Sequence, residues 1–182
     1  MLSQQLTDDA ELRALEPWQA AEFAAHVAGA QSHLMEWLPW GADAAEEAGA
    51  RALLQRYADA QARGEGRILG IWVDGKLAGG VLFRVWEQST GMCELGVWLV
   101  PSAVGRGLVT RASRVMIEWA FRVRGMHRVE WRCASANVRS SAVARRLGMT
   151  REGVLREAFP LRGVRHDVEV WAVLASEWPA AG

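Results

Sequence analysis

The segment 97–109, VWLVPSAVGRGLV, constrains this chain more than any other stretch. An apolar run typical of a β-strand ends at Pro101, and a short loop then leads through Gly105-Arg106-Gly107 into a long amphipathic helix. Glycines at a helix N-terminus let a ligand approach the backbone closely, and the unpaired N–H groups there favour anions. The segment therefore predicts a site for a phosphate or pyrophosphate.

The composition indicates one folded domain. The chain has 182 residues, of which 51% are hydrophobic, and this excludes disorder as the default state. We expect a single domain over residues 1–182 with its core at about 5–175. Residues 1–100 hold 7 Lys and Arg against 14 Asp and Glu, whereas residues 101–182 hold 14 against 7. The basic half suits an anionic ligand and the acidic half a cationic one, although solvated faces that segregate by chance would give the same asymmetry.

Several classes of protein are disfavoured by the sequence. The arginines are spread along the chain rather than clustered with aromatic residues, so we expect no nucleic-acid partner. The chain has no run of 18 apolar residues and no signal-peptide pattern at its start, so we expect a cytoplasmic protein with no membrane partner. Cys93 and Cys133 lack neighbouring Cys or His clusters, and we therefore expect neither a disulfide nor a metal.

Hydrophobic periodicity and turn residues predict eleven elements. In order these are a strand within 5–15, helices at 17–30 and 43–64, strands at 68–73, 77–86 and 92–100, a helix at 108–123, a strand at 127–133, a helix at 138–147, and strands at 154–159 and 166–174. The pattern predicts an α+β fold in which about four helices flank a mixed, mostly antiparallel seven-stranded sheet. The strand–helix–strand unit around the glycine loop predicts one parallel strand pair.

This order resembles the GNAT N-acyltransferase fold and, more narrowly, its RimJ/RimL branch, which modifies α-amino groups of ribosomal proteins. The resemblance covers roughly residues 5 to 175 and depends on four blocks: LMEWLPW, CELGVWLVPSAVGRGLVT, NVRSSAVARRLGMTREGVLRE and RGVRHDVEVWAVL. The third block is the most specific. The chain departs from the family's loop pattern at Val104, where Gln or Arg is usual, and at Val109, where Gly or Ala is usual.

The resemblance implies acetyl-CoA as co-substrate and no metal. In the family the loop backbone binds the pyrophosphate, and Arg106 would add a flexible charge. The preceding strand splays from the strand at 128–134, and the pantetheine arm pairs with its exposed backbone as an added strand would. The implied cofactor-binding residues are Trp98, Leu99, Val100, Gly105, Arg106, Gly107, Leu108, Val109, Thr110, Asn137 and Arg145. A plain strand-to-helix loop, and for Asn137 a plain helix cap, are the structural alternatives.

Two residues are the candidate catalysts. Glu94 lies on the strand before the loop, where a carboxylate can take the proton of an attacking amine, directly or through water. Ser140 lies in the first turn of a helix and is the candidate hydrogen-bond donor to the leaving thiolate. We expect the N–H of Leu99 or Val100 to polarise the thioester carbonyl. A structural charge paired with arginine and an exposed serine are the respective alternatives.

The acceptor is left open by the sequence. Trp37 and Trp40 flank Pro39 in a loop and are candidates for the walls of an acceptor pocket, with His166 as a further candidate. The branch favours a protein N-terminal α-amine, for example that of a ribosomal protein. The tryptophans favour a small amine, such as an antibiotic, an amino acid or an aminoacyl-nucleotide. A non-catalytic CoA-binding sensor or scaffold is the third reading, and the branch often forms homodimers.

Overall fold

A computed structural model describes residues 3–179 and contains eight strands and five α-helices in that range. The strands are β1 (Ser3–Thr7), β2 (Ala10–Ala14), β3 (Ile68–Val73), β4 (Lys76–Glu87), β5 (Met92–Leu99), β6 (Arg128–Ala134), β7 (Thr150–Leu161) and β8 (Val164–Leu174). The helices are α1 (Ala20–Gly29), α2 (Gln31–Leu34), α3 (Glu47–Arg63), α4 (Leu108–Arg122) and α5 (Val138–Arg146).

The strands form one sheet in the order β1-β2-β3-β4-β5-β6-β8-β7. The pairs β1–β2, β2–β3, β3–β4, β6–β8 and β7–β8 are antiparallel, and β5–β6 is parallel. The parallel register runs from Met92–Arg128 to Leu95–Trp131, and both strands continue beyond it. The α+β fold class, the mostly antiparallel sheet and the single parallel pair are therefore confirmed, while the splay stays a prediction.

The predicted strand count of seven is wrong by one. The segment predicted as one strand within 5–15 is a hairpin, in which β1 and β2 pair from Ser3–Arg13 to Thr7–Ala10. Asp8 and Asp9 form the turn between them. Adjacent aspartates favour a turn because their side chains hydrogen-bond local backbone groups. Because the stretch before these aspartates is short and polar, alternation of apolar residues does not identify β1.

The chain divides into two compact units. The first holds the described residues up to Leu82 together with Val97–Ala112, and the second holds Phe83–Gly96 and the residues from Ser113 onward. β4, β5 and α4 each begin in one unit and end in the other. The expectation of one domain over the whole chain stays a prediction.

The first unit has an apolar core built on α1 and α3. Phe23 and Val27 of α1 and Leu54 of α3 are completely buried there, and Trp72 and Trp98 join them from the strands. Their helical spacing places these apolar side chains on one face of each helix. Each large side chain removed from water in this way contributes roughly 1.5–3 kcal/mol to folding.

The second unit buries apolar side chains from α4, β6 and β8. Met116 and Ile117 are at most 1% exposed, and the indoles of Trp131 and Trp171 are buried as well. Asn137 caps the start of α5, and Gly148, with φ +77°, follows its end. Across residues 3–179, no helix combines the length and apolar character needed to cross a membrane.

Candidate functional site

The glycine loop, residues 104–110, has a backbone that only glycine adopts easily at two points. Gly105 has φ +87° and Gly107 has φ +72°. A Cβ added at either position would meet no atom within 4 Å, so both glycines border open space. A non-glycine residue at such a φ costs roughly 1–2 kcal/mol. The two glycines therefore set the loop's path and leave its backbone accessible.

Six consecutive backbone N–H groups in this loop make no hydrogen bond to any residue that the structure describes. The Val104 N–H donates to Pro101 O at 3.2 Å, and the Arg111 N–H donates to Gly107 O at 3.1 Å. The N–H groups between them, those of residues 105–110, donate to no acceptor within residues 3–179. Unpaired N–H groups at the start of a 15-residue helix form a binding site for an anion. The arrangement fits a phosphate or pyrophosphate.

The Arg106 side chain is already paired. Its Nη2 lies 2.6 Å from Oδ1 and 2.5 Å from Oδ2 of Asp9, in the turn between β1 and β2. The Thr7 hydroxyl also donates to Asp9 Oδ1 at 2.9 Å. The hydrogen bonds from Thr7 and Arg106 hold the pKa of Asp9 below its ordinary value. The predicted flexible charge is instead held by a carboxylate, which leaves the backbone N–H groups of residues 105–110 as the candidate anion donors.

The segment Trp98-Leu99-Val100 lies tightly against β4. A Cβ on Gly79 would come within 2.4 Å of Trp98 O, and one on Gly80 within 2.1 Å of the Trp98 ring. The Val100 N–H donates to Ala78 O at 2.8 Å. Val100 is therefore wrong as the candidate oxyanion donor, because its N–H is in use. Successive N–H groups of a strand point to opposite edges, which leaves the Leu99 N–H directed away from β4.

The Trp98 side chain belongs to an aromatic cluster. Its indole N–H donates to His26 Nε2 at 3.2 Å, and its ring lies 5.7 Å from that of Trp40 and 5.9 Å from that of Phe23. Burial lowers the pKa of His26, opposed by the Leu77 carbonyl, so the imidazole is neutral and accepts the bond. Trp40 is half-buried, which combines a core contact with an exposed edge. Sequence reasoning missed His26, because a lone histidine on a helix carries no signal.

Glu94 is a buried carboxylate in the second unit. It is only 4% exposed, with Arg84 Nη1 2.9 Å from Oε1 and Arg132 Nε 4.0 Å from Oε2. Oε1 nevertheless lacks an aligned hydrogen bond. Burial raises the pKa of Glu94, the two guanidiniums oppose this rise, and the Glu130 carboxylate adds to it. A buried carboxylate whose pKa is raised by its surroundings is suited to accept a proton.

A chain of charges extends from Glu94 along the same face. Glu130 is the direct neighbour of Glu94 in the parallel register and is 7% exposed. It pairs with Arg132 at 2.9 Å and with Arg128 at 2.9 Å, and Arg128 pairs onward with Glu152. The alternative that Glu94 pairs with an arginine is confirmed, but the sequence did not identify which residues are its neighbours, since these depend on strand register. The like charge of Glu130 and the shared guanidinium of Arg132 are the groups that set the ionisation of Glu94 from β6.

Ser140 lies in α5 and on the other face of the sheet. Its Oγ accepts a hydrogen bond from Trp131 Nε1 at 2.9 Å, and its N–H donates to Asn137 Oδ1 at 3.1 Å. Asn137 is therefore a helix cap. Trp131 follows Glu130 in β6, and successive strand residues point to opposite faces. The two candidate catalysts, Glu94 and Ser140, thus lie on opposite faces of the β5–β6 pair.

The remaining candidates are placed as follows. Burial raises the pKa of the Cys133 thiol to about 11, so it is a poor nucleophile. The Arg145 guanidinium lies 5.5 Å from the Trp171 ring centroid, and the His166 ring lies 6.3 Å from that of Phe159. Trp37 is half-buried in the turn after α2, and Thr110 is half-buried in the first turn of α4. Within residues 3–179, the His, Cys, Asp and Glu side chains form no group of three suited to hold a metal ion.

The candidate residues fall into the two units by kind. The glycine loop, the segment 98–100, Trp37 and Trp40 belong to the first unit. Glu94, Asn137, Ser140, Arg145 and His166 belong to the second. The candidates in the first unit thus include the backbone N–H groups of the glycine loop, and the candidates in the second unit are titratable or polar side chains.

Comparisons with known proteins agree with one another. A family model described as an acetyltransferase (GNAT) domain matches residues 11–150. The putative ribosomal N-acetyltransferase YdaF of Bacillus subtilis (strain 168) is 30% identical over 183 residues, which cover 98% of each chain. A structure of RimL, a ribosomal-protein α-N-acetyltransferase in complex with coenzyme A, superposes with a TM-score of 0.89 at 25% identity and covers 94% of this chain and 97% of that one. The Microcin C7 self-immunity acetyltransferase MccE, in complex with acetyl-CoA and AMP, superposes with a TM-score of 0.85 at 25% identity and covers 93% of this chain and 94% of that one.

Proposed function

Because the chain belongs to the GNAT acetyltransferase family and is an acyltransferase, we propose that it transfers the acetyl group of acetyl-CoA to a primary amine by direct attack. The observation that supports this proposal most is the run of six unpaired N–H groups at residues 105–110. These N–H groups are hydrogen-bond donors with partial positive charge, and the pyrophosphate of acetyl-CoA is an anion with several acceptor oxygens. RimL and MccE, which are similar in fold, carry coenzyme A or acetyl-CoA.

The donor is held chiefly by backbone groups. Residues 105–110 bind the pyrophosphate, and the edge of the segment Trp98-Leu99-Val100 that faces away from β4 pairs with the pantetheine arm. Asn137, Thr110 and Arg145 are the further contacts implied by the family. Because backbone N–H groups do not depend on side-chain identity, Val104 and Val109 are compatible with binding even though they depart from the family's pattern.

Glu94 acts as the base. An amine is protonated at neutral pH and must lose one proton before its lone pair attacks the carbonyl carbon. The Glu94 carboxylate takes that proton, directly or through a water molecule. Its raised pKa improves its strength as a base, while Arg84 and Arg132 keep enough of it ionised to act. The acceptor's cationic amine is also attracted by the carboxylate before the transfer.

The remaining charges develop on oxygen and sulfur. When the amine nitrogen bonds to the carbonyl carbon, negative charge builds on the carbonyl oxygen, and the Leu99 N–H donates to it. The carbon–sulfur bond then breaks, the nitrogen loses its second proton, which ends on the departing sulfur, and the hydroxyl of Ser140 donates a hydrogen bond to that sulfur as it leaves. Trp131 supports this step, because its indole N–H donates to Ser140 Oγ and fixes the position of the hydroxyl.

A protein N-terminal α-amine is the first candidate acceptor. YdaF and RimL are named for ribosomal-protein acetylation, and YdaF is similar over 98% of this chain. Trp37 and Trp40 would contact the first residues of such a peptide, with His166 as a further contact. An extended N-terminus brings one primary amine, which suits a carboxylate such as Glu94, and a flat backbone, which suits aromatic rings.

A small nucleotide-linked amine is the second candidate acceptor. MccE is described in complex with AMP, and its fold covers 93% of this chain. Trp40 of this chain presents a half-buried indole, on which an adenine could stack. The two candidates differ in where they draw affinity: a peptide would use its backbone, and a nucleotide would use its base.

A coupled binding and thiol-release assay tests the proposal. Acetyl-CoA and succinyl-CoA are each offered with peptides that begin with serine or alanine, with the same peptides N-acetylated, and with an aminoacyl-sulfamoyl-adenosine. We expect acetyl-CoA to raise the melting temperature and to release thiol with a free amine only. Stabilisation without release on any amine would support a CoA-binding sensor instead. No stabilisation by acetyl-CoA would overturn the donor assignment.

A further inference from the structure

The Asp9–Arg106 pair joins the glycine loop to a distant part of the chain. Both carboxylate oxygens of Asp9 lie within 2.6 Å of Arg106 Nη2. Asp9 is itself held at two further points: its carboxylate accepts the Thr7 hydroxyl at 2.9 Å, and its carbonyl accepts the Asp74 N–H at 2.9 Å. Asp74 lies in the turn between β3 and β4. The carboxylate is therefore a fixed point within the first unit.

The glycine loop has little else to order it. Arg106 stands between two glycines with positive φ, and neither glycine touches a neighbour on its Cβ side. The N–H groups of residues 105–110 contribute no hydrogen bond within residues 3–179. A chain segment of this kind loses conformational entropy when a ligand orders it, and that loss weakens binding unless the segment is ordered beforehand.

We propose that Asp9 is a positioning residue for the acyl donor, which orders the glycine loop by holding the Arg106 guanidinium. The inference rests on the proposed function, because it takes the loop to bind the donor's pyrophosphate. Asp9 does not touch the phosphates. It keeps the Arg106 side chain to one side, so the six N–H groups stay free for the phosphates. The opposing arrangement is that Arg106 leaves Asp9 and binds the phosphates itself, in which case Asp9 competes with the donor.

The two arrangements predict opposite signs for one substitution. If Asp9 orders the loop, Asp9→Asn weakens coenzyme A binding, and so does Arg106→Gln. If Asp9 competes for the guanidinium, Asp9→Asn strengthens binding while Arg106→Gln weakens it. An ion pair at the surface is a weak interaction, so we expect each substitution to raise the Kd about three- to fivefold.

A double-mutant cycle on the whole chain decides between them. Coenzyme A is titrated calorimetrically into the wild type, Asp9→Asn, Arg106→Gln and the double variant, with Asp8→Asn as the matched control in the same turn. We expect the double variant to bind no more weakly than either single variant, because both remove one contact. In turnover assays we expect Asp9→Asn and Arg106→Gln to raise the KM for acetyl-CoA and to leave the KM for the amine unchanged. General destabilisation would not separate the two constants in this way.

Each result has one meaning. Asp9 is supported as a positioning residue if the two single variants raise the Kd equally and the double variant raises it no further. A lower Kd in Asp9→Asn, an unchanged Kd, or additive effects would overturn it. Failure of the wild type itself to bind coenzyme A would overturn the proposed function rather than the role of Asp9.

Discussion

The glycine loop and the charged strand face present polar groups in opposite ways. The loop offers backbone N–H groups of residues 105–110, without buried charge and beside open space. The strand face offers Glu94 and Glu130, two buried carboxylates that pair with Arg84, Arg128 and Arg132. A backbone site tolerates a change of side chain as long as the path of the chain is kept, whereas a side-chain site depends on each member of its network. We therefore expect binding to be robust and catalysis to be sensitive.

Glu94→Gln is expected to have the largest effect. Removal of a general base lowers kcat by roughly 10² or more, while the Kd for acetyl-CoA stays at the wild-type value. The pH dependence of the activity tests the same role of Glu94. Glu94 must be ionised to act, and burial raises its pKa above the ordinary 4.5, so wild-type activity falls as pH drops through a midpoint above 4.5. The variant lacks this acidic limb.

The measurement is a pH–rate profile of both proteins with one amine. Arg84 on β4 and Glu130 and Arg132 on β6 face Glu94 and stay in place in the variant. Glu87→Gln, an exposed glutamate at the end of β4, is the control. An E94Q profile that coincides with the wild-type profile would remove Glu94 as the base.

Gly107→Trp is expected to abolish donor binding. The side chain would stand in the open space beside the loop, where the phosphates approach, and the loss of even one charge-assisted hydrogen bond raises the Kd about tenfold or more. Gly163→Trp is a matched control, because Gly163 has φ +76° and also borders open space, in the turn between β7 and β8. Both variants should lose similar thermal stability. Donor binding that survives in Gly107→Trp would disprove the loop assignment.

Ser140→Ala is expected to lower kcat about tenfold, since one hydrogen bond to the leaving thiolate is lost. It also removes the acceptor of the Trp131 indole N–H, which costs stability of about 1 kcal/mol. Trp131→Phe separates the two effects, because it breaks the same hydrogen bond and keeps the hydroxyl. Steady-state kinetics and thermal melts of both variants are the measurement. Equal losses of kcat would indicate that Ser140 acts only as a structural partner of Trp131.

Val109→Ala and Val104→Gln are expected to have the smallest effect, although they restore residues usual in the family. If backbone N–H groups bind the donor, these two side-chain changes alter the Kd by less than about threefold. Titration of acetyl-CoA into the two variants checks this. A tenfold lower Kd for acetyl-CoA in either variant would show that side chains at these positions limit binding. The contrast between the glycine loop and the charged strand face would then be weaker than the structure indicates.

The sequence predicted the loop well and the strand face poorly, for a physical reason. Gly105, Gly107 and the helix that begins at Leu108 are local features, and a phosphate-binding loop is defined by residues that are adjacent in the chain. Glu94 was identified by its place on a strand, but Glu130 and Arg132 become its neighbours only through the parallel register. The Arg106–Asp9 pair spans 97 residues, and no local pattern predicts it.

Individual hydrogen-bond donors and turns were likewise not predictable from local sequence patterns alone. Periodicity placed Val100 at the end of a strand, but only the pairing with β4 shows that its N–H is bound to Ala78 O. The turn at Asp8 and Asp9 split a segment that alternation alone joined into one strand. Element type followed from local chemistry, whereas the number of strands and the availability of individual donors followed from pairing.

The most direct test compares two donors that share a thioester and a pantetheine arm, of which only acetyl-CoA carries the pyrophosphate and the adenosine 3′-phosphate beyond it. Acetyl-CoA and acetyl-pantetheine are titrated calorimetrically into the wild-type chain under identical conditions. If the N–H groups of residues 105–110 bind the pyrophosphate, acetyl-CoA binds at least about tenfold more tightly, because several charge-assisted hydrogen bonds are lost without it. Equal dissociation constants would contradict the account, since the glycine loop would then contribute nothing to donor binding.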